Sequence, residues 1–135
     1  MSEPGAPRAV VAGHGDFAEA MIGVVQKIAG RADAFVGVSN HGRDAAGIEA
    51  AIREALAATG ATVVFTDLPA GSCTMAARKI TRDLPAVAVV TGTSVPMLLE
   101  FALGATGDGE ALTRVADRGR ASVLVFPARG GSGAH

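Results

Sequence analysis

His14, Asp67 and the small-residue stretch Ala70-Gly71-Ser72-Cys73-Thr74 are the residues whose types and spacing could do chemistry. His14 stands between Gly13 and Gly15, just beyond the apolar run Ala9-Val10-Val11-Ala12, and Asp67 just beyond a second one, Val63-Val64-Phe65-Thr66. When a carboxylate accepts a hydrogen bond from one imidazole nitrogen, the tautomer is fixed and the other nitrogen keeps a free lone pair, which makes a nucleophile. Such a nucleophile can accept a phosphoryl group, whose loose transition state mainly asks for alignment and for donors around its oxygens. Main-chain amides from Gly71 to Met75, at the expected start of a helix, would supply those donors, and the Ser72 hydroxyl would add one. His14 and Asp67 are thus the catalytic candidates, and Gly71, Ser72, Cys73 and Thr74 the phosphoryl-binding ones.

Plainer roles exist for each residue. His14 would serve equally as a solvent-facing loop residue, and Asp67 or Ser72 as a cap of the following helix. Cys73 is either a small packed side chain or a thiol activated by the helix start. His41, in Ser39-Asn40-His41-Gly42, reads as a turn residue. Arg78, Lys79 and Arg82 read as a basic helix face, either solvated or meeting an acidic partner. Other chemistries fit less well. The chain has no G-x-x-x-x-G-K-[ST], no G-x-G-x-x-G after the first apolar run and no G-x-S-x-G. A hydrolase triad of Ser72, His14 and Asp67 would draw serine and carboxylate from one loop, without a strained nucleophile turn.

The apolar runs expected to position these residues are Arg8 to Ala12, Ala34 to Val38, Thr62 to Thr66, Val87 to Thr91 and Ala121 to Phe126. They are short, Val-rich and unalternated, as strands covered on both faces are. Helical patterns lie between them. Asp16-Phe17-Ala18-Glu19 has the spacing of a capping box, followed by an apolar stripe of Phe17, Met21, Val25 and Ile28, with Gly30 as a stop. Ile48, Ile52 and Leu56 mark a helix from about Asp44 that ends at Gly60. Met75 to Arg82 and Met97 to Leu103 read as two more, the second introduced by Pro96. A polar segment, Glu110 to Arg118, reads as a helix before the last run.

This alternation predicts a doubly wound α/β domain with a mainly parallel sheet and helices on both faces. In the common strand order 2-1-3-4 the sheet reverses between strands one and three, and ligands bind at the carboxyl ends beside that point. His14 and Asp67 follow those two strands. The fifth run has no evident place; it would extend its own sheet or cross to a second copy of the chain.

With 135 residues the chain fits one domain, read as 8–128 between a short extension (1–7) and a glycine-rich, flexible tail (129–135). Formal net charge is −1 with Lys and Arg dispersed, and Trp and Tyr are absent, so nucleic acid is not an expected partner. The single Cys73 excludes an internal disulfide, and three scattered histidines form no Cys/His cluster, so no metal is expected. No apolar run nears the ~20 residues that span a bilayer, and the first residues lack a signal-peptide pattern, so a cytoplasmic location is expected.

At these residues the chain resembles the IIA components of the mannose-type sugar phosphotransferase system. The likeness runs in order from Gly13-His14-Gly15, through Asp67 with Ala70-Gly71-Ser72, to Val90-Thr91-Gly92-Thr93-Ser94-Val95-Pro96-Met97-Leu98-Leu99-Glu100. It departs from the family pattern at Ala70, Cys73 and Met75, where relatives usually have glycine, proline and asparagine, and an asparagine is also replaced near Ser94. The resemblance implies that His14 is phosphorylated by the histidine carrier protein HPr, that Asp67 orients its ring, and that a IIB component receives the phosphoryl group. It also implies association with membrane IIC and IID components, and a homodimer that exchanges the fifth strand. No cofactor is implied, since the donor is already an activated phosphoramidate. A regulatory module phosphorylated on the same histidine without a transport role, and a domain binding a small ligand with no covalent step, are the alternatives left by the sequence.

Overall fold

A computed structural model describes residues 6–104 and 108–129. Four strands, β1 (Ala9–Gly13), β2 (Phe35–Ser39), β3 (Val63–Thr66) and β4 (Ala88–Val90), form one parallel sheet in the order β2-β1-β3-β4. Between and after them run α1 (Phe17–Ala29), α2 (Ala45–Thr59), α3 (Ser72–Asp83), α4 (Val95–Leu103) and α5 (Gly109–Ala121). The expected doubly wound architecture and strand order are both present.

The central strands read as continuous apolar runs because both their faces are covered. Ala9 and Val11 of β1 and Val63 and Phe65 of β3 face a core with α1, α4 and α5. Val10, Ala12 and Val64 face the opposite core, closed by Ile48, Ile52 and Leu56 of α2 and by Ala77 and Ile80 of α3. In the first core Phe65 meets Phe35 and Phe101 edge-on, with ring centroids 6.3 and 5.2 Å apart, the offset geometry that aromatic quadrupoles favour. The Arg8 guanidinium lies over the Phe101 ring and donates to the carbonyls of Phe101 and Ala102, which satisfies the end of α4.

Helix boundaries follow local chemistry at most termini. Asp44 accepts from Gly47 N–H at the start of α2, and Gly60 ends that helix in the left-handed conformation. The capping box at Asp16 does not form. Asp16 has ψ 9 instead of an extended value, so its side chain makes no cap; a turn closes there through Phe17 N–H donating to His14 O. Ile28 is also not part of the buried stripe, being 62% exposed. The row facing the sheet is Ala18, Ile22 and Val25, and the next residue on it, four positions beyond Val25, is Ala29.

The expected fifth strand is absent within the described chain. Ala121 is the last residue of α5, and 123–128 has no regular secondary structure and pairs with no strand. Val123, Leu124, Val125 and Phe126 are all strongly exposed, Phe126 at 86%. Their β-propensity is high, but propensity makes a strand only where a ladder partner and a covering face exist. The extension over 1–7 and the tail over 129–135 lie mostly outside the described residues.

Candidate active site

The sheet reversal puts the carboxyl ends of β1 and β3 side by side, and His14 and Asp67 leave them one residue after each strand. Asp67 Oδ2 accepts two hydrogen bonds from the same residue: one from the His14 main-chain N–H (2.9 Å) and one from the ring at Nδ1 (2.8 Å). The proton therefore belongs on Nδ1 and the free lone pair on Nε2. Nε2 points to the start of α3, with Ser72 Oγ at 3.5 Å. The His14 side chain is 45% exposed and that of Asp67 only 10%, so the ring is accessible while its anchor is held.

Burial pushes the Asp67 carboxyl up, but hydrogen bonds from the His14 amide and ring, with the charge of that ring, outweigh it. The carboxyl is held below its usual value. Asp67 is thus an anion at neutral pH, as an acceptor for Nδ1–H requires. It does not cap α3, whose N-cap is Gly71.

Helix α3 starts beside the ring. Its first ladder bond runs from Met75 N–H to Gly71 O, so the amides of Ser72, Cys73 and Thr74 precede the helical ladder and form the positive end of the helix dipole. Ser72 is the first helical residue, not the cap. Cys73 is fully buried, and that burial, followed by the charge of Asp67, pushes its thiol up, which excludes an activated thiolate. Thr74 is also buried, its hydroxyl bonded to Thr66 Oγ1 (2.5 Å) and to the Leu68 carbonyl. Cys73 and Thr74 can therefore offer only main chain to an anion, while Ser72 offers a hydroxyl as well.

Two glycines make the close approach possible. A Cβ on Gly71 would lie 3.1 Å from His14 Cε1, and one on Gly13 would lie 2.5 Å from a Phe17 ring carbon and 3.1 Å from Asp67 Oδ2. Gly13→Ala is expected to cost about 1–3 kcal/mol through overpacking. It should also slow any reaction at His14, and urea melts beside a labelling assay would show both effects.

Ser39 and Asn40 complete the site and were not singled out from the sequence. Asn40 Oδ1 accepts from Gly15 N–H (3.0 Å), Ser39 Oγ donates to Gly15 O (2.8 Å), and Asn40 N–H donates to Gly13 O (3.2 Å). They latch the glycine-flanked loop from the β2 side, as Asp67 does from the β3 side. One signal pointed to them: they end or directly follow the strand that neighbours β1. His41 is an exposed turn residue whose N–H donates to Ser39 Oγ. Among the described residues no cluster of His, Cys, Asp and Glu could hold a metal, and no helix is long and apolar enough to cross a membrane.

The site as built can present an oriented imidazole nitrogen to an electrophile beside the free amides at the start of α3. A family model described as EIIA-man, PTS system fructose IIA component, matches residues 8–118. The fold is similar to phosphotransferase system component EIIA from Streptococcus agalactiae, with TM-score 0.81 and 18% identity over 88% of this chain and 96% of that one. The mannose/sorbose-specific IIA subunit from Enterococcus faecalis gives TM-score 0.78 and 22% identity, covering 90% of this chain and 96% of that one. A PTS IIA protein associated with a fucose utilization operon in Streptococcus pneumoniae gives TM-score 0.68 and 20% identity, covering 87% and 90%. No curated protein sequence matches.

Proposed function

Because the chain belongs to the mannose-type family of phosphotransferase system IIA components, we propose that it is a cytoplasmic phosphocarrier that takes a phosphoryl group from phospho-HPr on His14 and passes it to a IIB component. One observation carries this reading: His14 Nδ1 is tied to Asp67 Oδ2 at 2.8 Å, while Nε2 faces Ser72 and the start of α3.

In the forward half-reaction the Nε2 lone pair attacks phosphorus in line with the donor's N–P bond. The new Nε2–P bond forms as the old one breaks, and the bonding pair returns to the donor's imidazole nitrogen. The proton on His14 Nδ1 stays in place. The ring gains positive charge as it bonds to phosphorus, and the Asp67 carboxylate offsets it. Donors aimed at the phosphoryl oxygens from the first turn of α3 stabilise charge without having to reorganise. Transfer to the acceptor reverses these steps, with an acceptor nucleophile taking the place of the donor nitrogen. The Ala70, Cys73 and Met75 departures leave this machinery intact, because the helix start supplies main-chain donors whatever the side chains are.

Incubation with phosphoenolpyruvate, enzyme I and HPr from the same genome tests the reading by intact mass. One acid-labile phosphoryl group per chain is expected. No gain, with a control IIA protein labelled in parallel, would overturn the carrier role.

The exposed Val123–Phe126 segment supports the homodimer. Among the described residues no strand pairs with the outer edge of β4, and beside it a groove of about 370 Å³, lined by Val89, Val90, Leu112 and Ala116 together with Thr91, Thr113 and Arg120, offers a mixed apolar and polar bed for a fifth strand from a second copy. Burying an exposed apolar side chain contributes about 1.5–3 kcal/mol. Val125→Asp/Phe126→Asp should therefore weaken the dimer by at least about a hundredfold. Sedimentation velocity would show a dimer for the wild type and a monomer for the variant.

A further inference from the structure

Three threonines from separate parts of the chain meet behind Asp67. Thr66 ends β3, Thr74 lies in the first turn of α3, and Thr93 lies in the loop between β4 and α4. All three are buried, the first two completely. Pairing between β3 and β4 stops at Phe65 and Val90, one residue short of Thr66. Thr93 takes over there, donating to the Thr66 carbonyl from its hydroxyl (2.7 Å) and from its main-chain N–H (3.1 Å). On the other side the Thr74 hydroxyl meets both Thr66 Oγ1 and the Leu68 carbonyl. A carbonyl can only accept, so the single Thr74 proton goes to Leu68, and the Thr66 hydroxyl donates to Thr74. The chain is thus fastened immediately before and immediately after Asp67.

Packing alone does not call for these hydroxyls. A buried hydroxyl is unfavourable until it is hydrogen-bonded, and valine has nearly the same shape without that cost. What the hydrogen bonds add is direction. The Asp67 carboxylate needs it, because the two hydrogen bonds it accepts come from His14, the residue it has to orient. Ser39 and Asn40 latch the His14 loop to the β2 side and not to α3. A fixed position relative to the start of α3 therefore has to come through the main chain at 66–68. Thr74 supplies it, since its hydroxyl holds that main chain while its amide is among those that precede the helical ladder.

We propose that Thr66, Thr74 and Thr93 are positioning residues for phosphoryl transfer: their hydroxyl network sets the Asp67 carboxylate, and through it His14 Nε2, against the amides at the start of α3. The proposal rests on the phosphocarrier reading. Attack in line requires the nitrogen and the amides to keep one geometry around phosphorus, and a displacement of about 1 Å can cost about a hundredfold in rate.

The test compares Thr74→Val/Thr93→Val with Thr74→Ser/Thr93→Ser and wild type. Initial rates of His14 labelling are measured with phospho-HPr and, separately, with the small donor phosphoramidate. Nitrogen NMR of the unphosphorylated proteins reads which ring nitrogen of His14 carries the proton. The valine variant is expected to lose about tenfold or more in kcat with both donors, with KM for phospho-HPr nearly unchanged. Its ring signal should move from a single Nδ1–H tautomer toward a mixture. The serine variant keeps both hydroxyls and should restore rate and signal. Thr93→Val alone leaves the Thr93 amide on the Thr66 carbonyl, so it should change both readouts less, and it decides the matter if the double variant does not fold. Wild-type kcat and ring signal in the folded valine variants overturn the proposal. So does an equal loss in the serine variant, because the hydroxyls would then not suffice, and so does a raised KM with kcat intact. Failure of both donors to label the wild type would instead count against the carrier reading, while the ring signal would still decide whether the threonines orient His14.

Discussion

His14→Ala is expected to abolish phosphorylation completely, whether the donor is phospho-HPr or phosphoramidate, and to leave the fold intact. The loss should be total because no second group near the helix start can take over. Ser72 Oγ lies within 3.5 Å of Nε2, but the base it meets there is the imidazole that the variant lacks. The Cys73 thiol is buried and held protonated. The Thr74 hydroxyl is committed to Leu68 and Thr66. The ring is half-exposed and packs into neither core, so its removal should change stability by less than about 1 kcal/mol. Intact-mass analysis checks the first part and thermal melts the second. A variant that still gained a phosphoryl group would place the acceptor elsewhere.

Asp67→Asn is expected to lower the phosphorylation rate by about 10²–10⁴-fold with little change in donor KM. Two effects act together. Asparagine has one acceptor oxygen and an NH₂ group; if the NH₂ meets Nδ1, the ring proton moves to Nε2 and removes the attacking lone pair. Even with the oxygen toward Nδ1, a neutral amide offsets the cationic ring less than a carboxylate does. Since the fault lies in the nucleophile, phosphoramidate labelling should fall by a similar factor, which separates this variant from a docking defect. The same residue sets a pH dependence of stability. Its carboxyl is held below the ordinary value of 3.8, so the stabilisation it gives is present above that value and is lost as pH falls through the lower, folded value. Wild type and Asp67→Asn should therefore differ most near neutral pH and converge in strong acid. Urea melts across that range would show it, and a constant difference would mean that the carboxylate charge contributes nothing.

Most of the site was legible because a parallel sheet is a local code. Unalternated Val-rich runs report strands covered on both faces, and the residue that ends such a strand is exposed at the carboxyl edge. His14 and Asp67 could thus be placed together from the pattern and the usual strand order alone. Ile48, Ile52 and Leu56 were legible for a similar reason, because helical period and burial coincide where a helix lies flat on a sheet. Where a feature depended on one backbone angle, the sequence was ambiguous. Asp16 and Glu19 have the capping-box spacing, yet a ψ of 9 at Asp16 turns the carboxylate away from the amides it would cap. Ile28 has the right period, but lies on the far side of the last turn of α1.

Ser39 and Asn40 show a different limit. Their bonds to Gly13 and Gly15 join segments about 25 residues apart, and each residue alone is an ordinary polar turn former. The 123–128 segment shows a third. Val-Leu-Val-Phe carries strand propensity, but a strand is a relation between two chains of peptide groups, and the described chain offers that segment no partner.

By itself the sequence determined the chemistry on offer, an imidazole, a carboxylate and a small-residue helix start, and the sheet order that would gather them, since residue types and periodicity are properties of the linear chain. Only the tertiary structure decided which ring nitrogen is free, because that depends on a 2.8 Å contact between side chains 53 positions apart. It also decided that Cys73 and Thr74 turn inward while Ser72 faces the ring. Side-chain direction is set by the packing of α3 against the sheet and α2, and that packing exists only once the chain is folded.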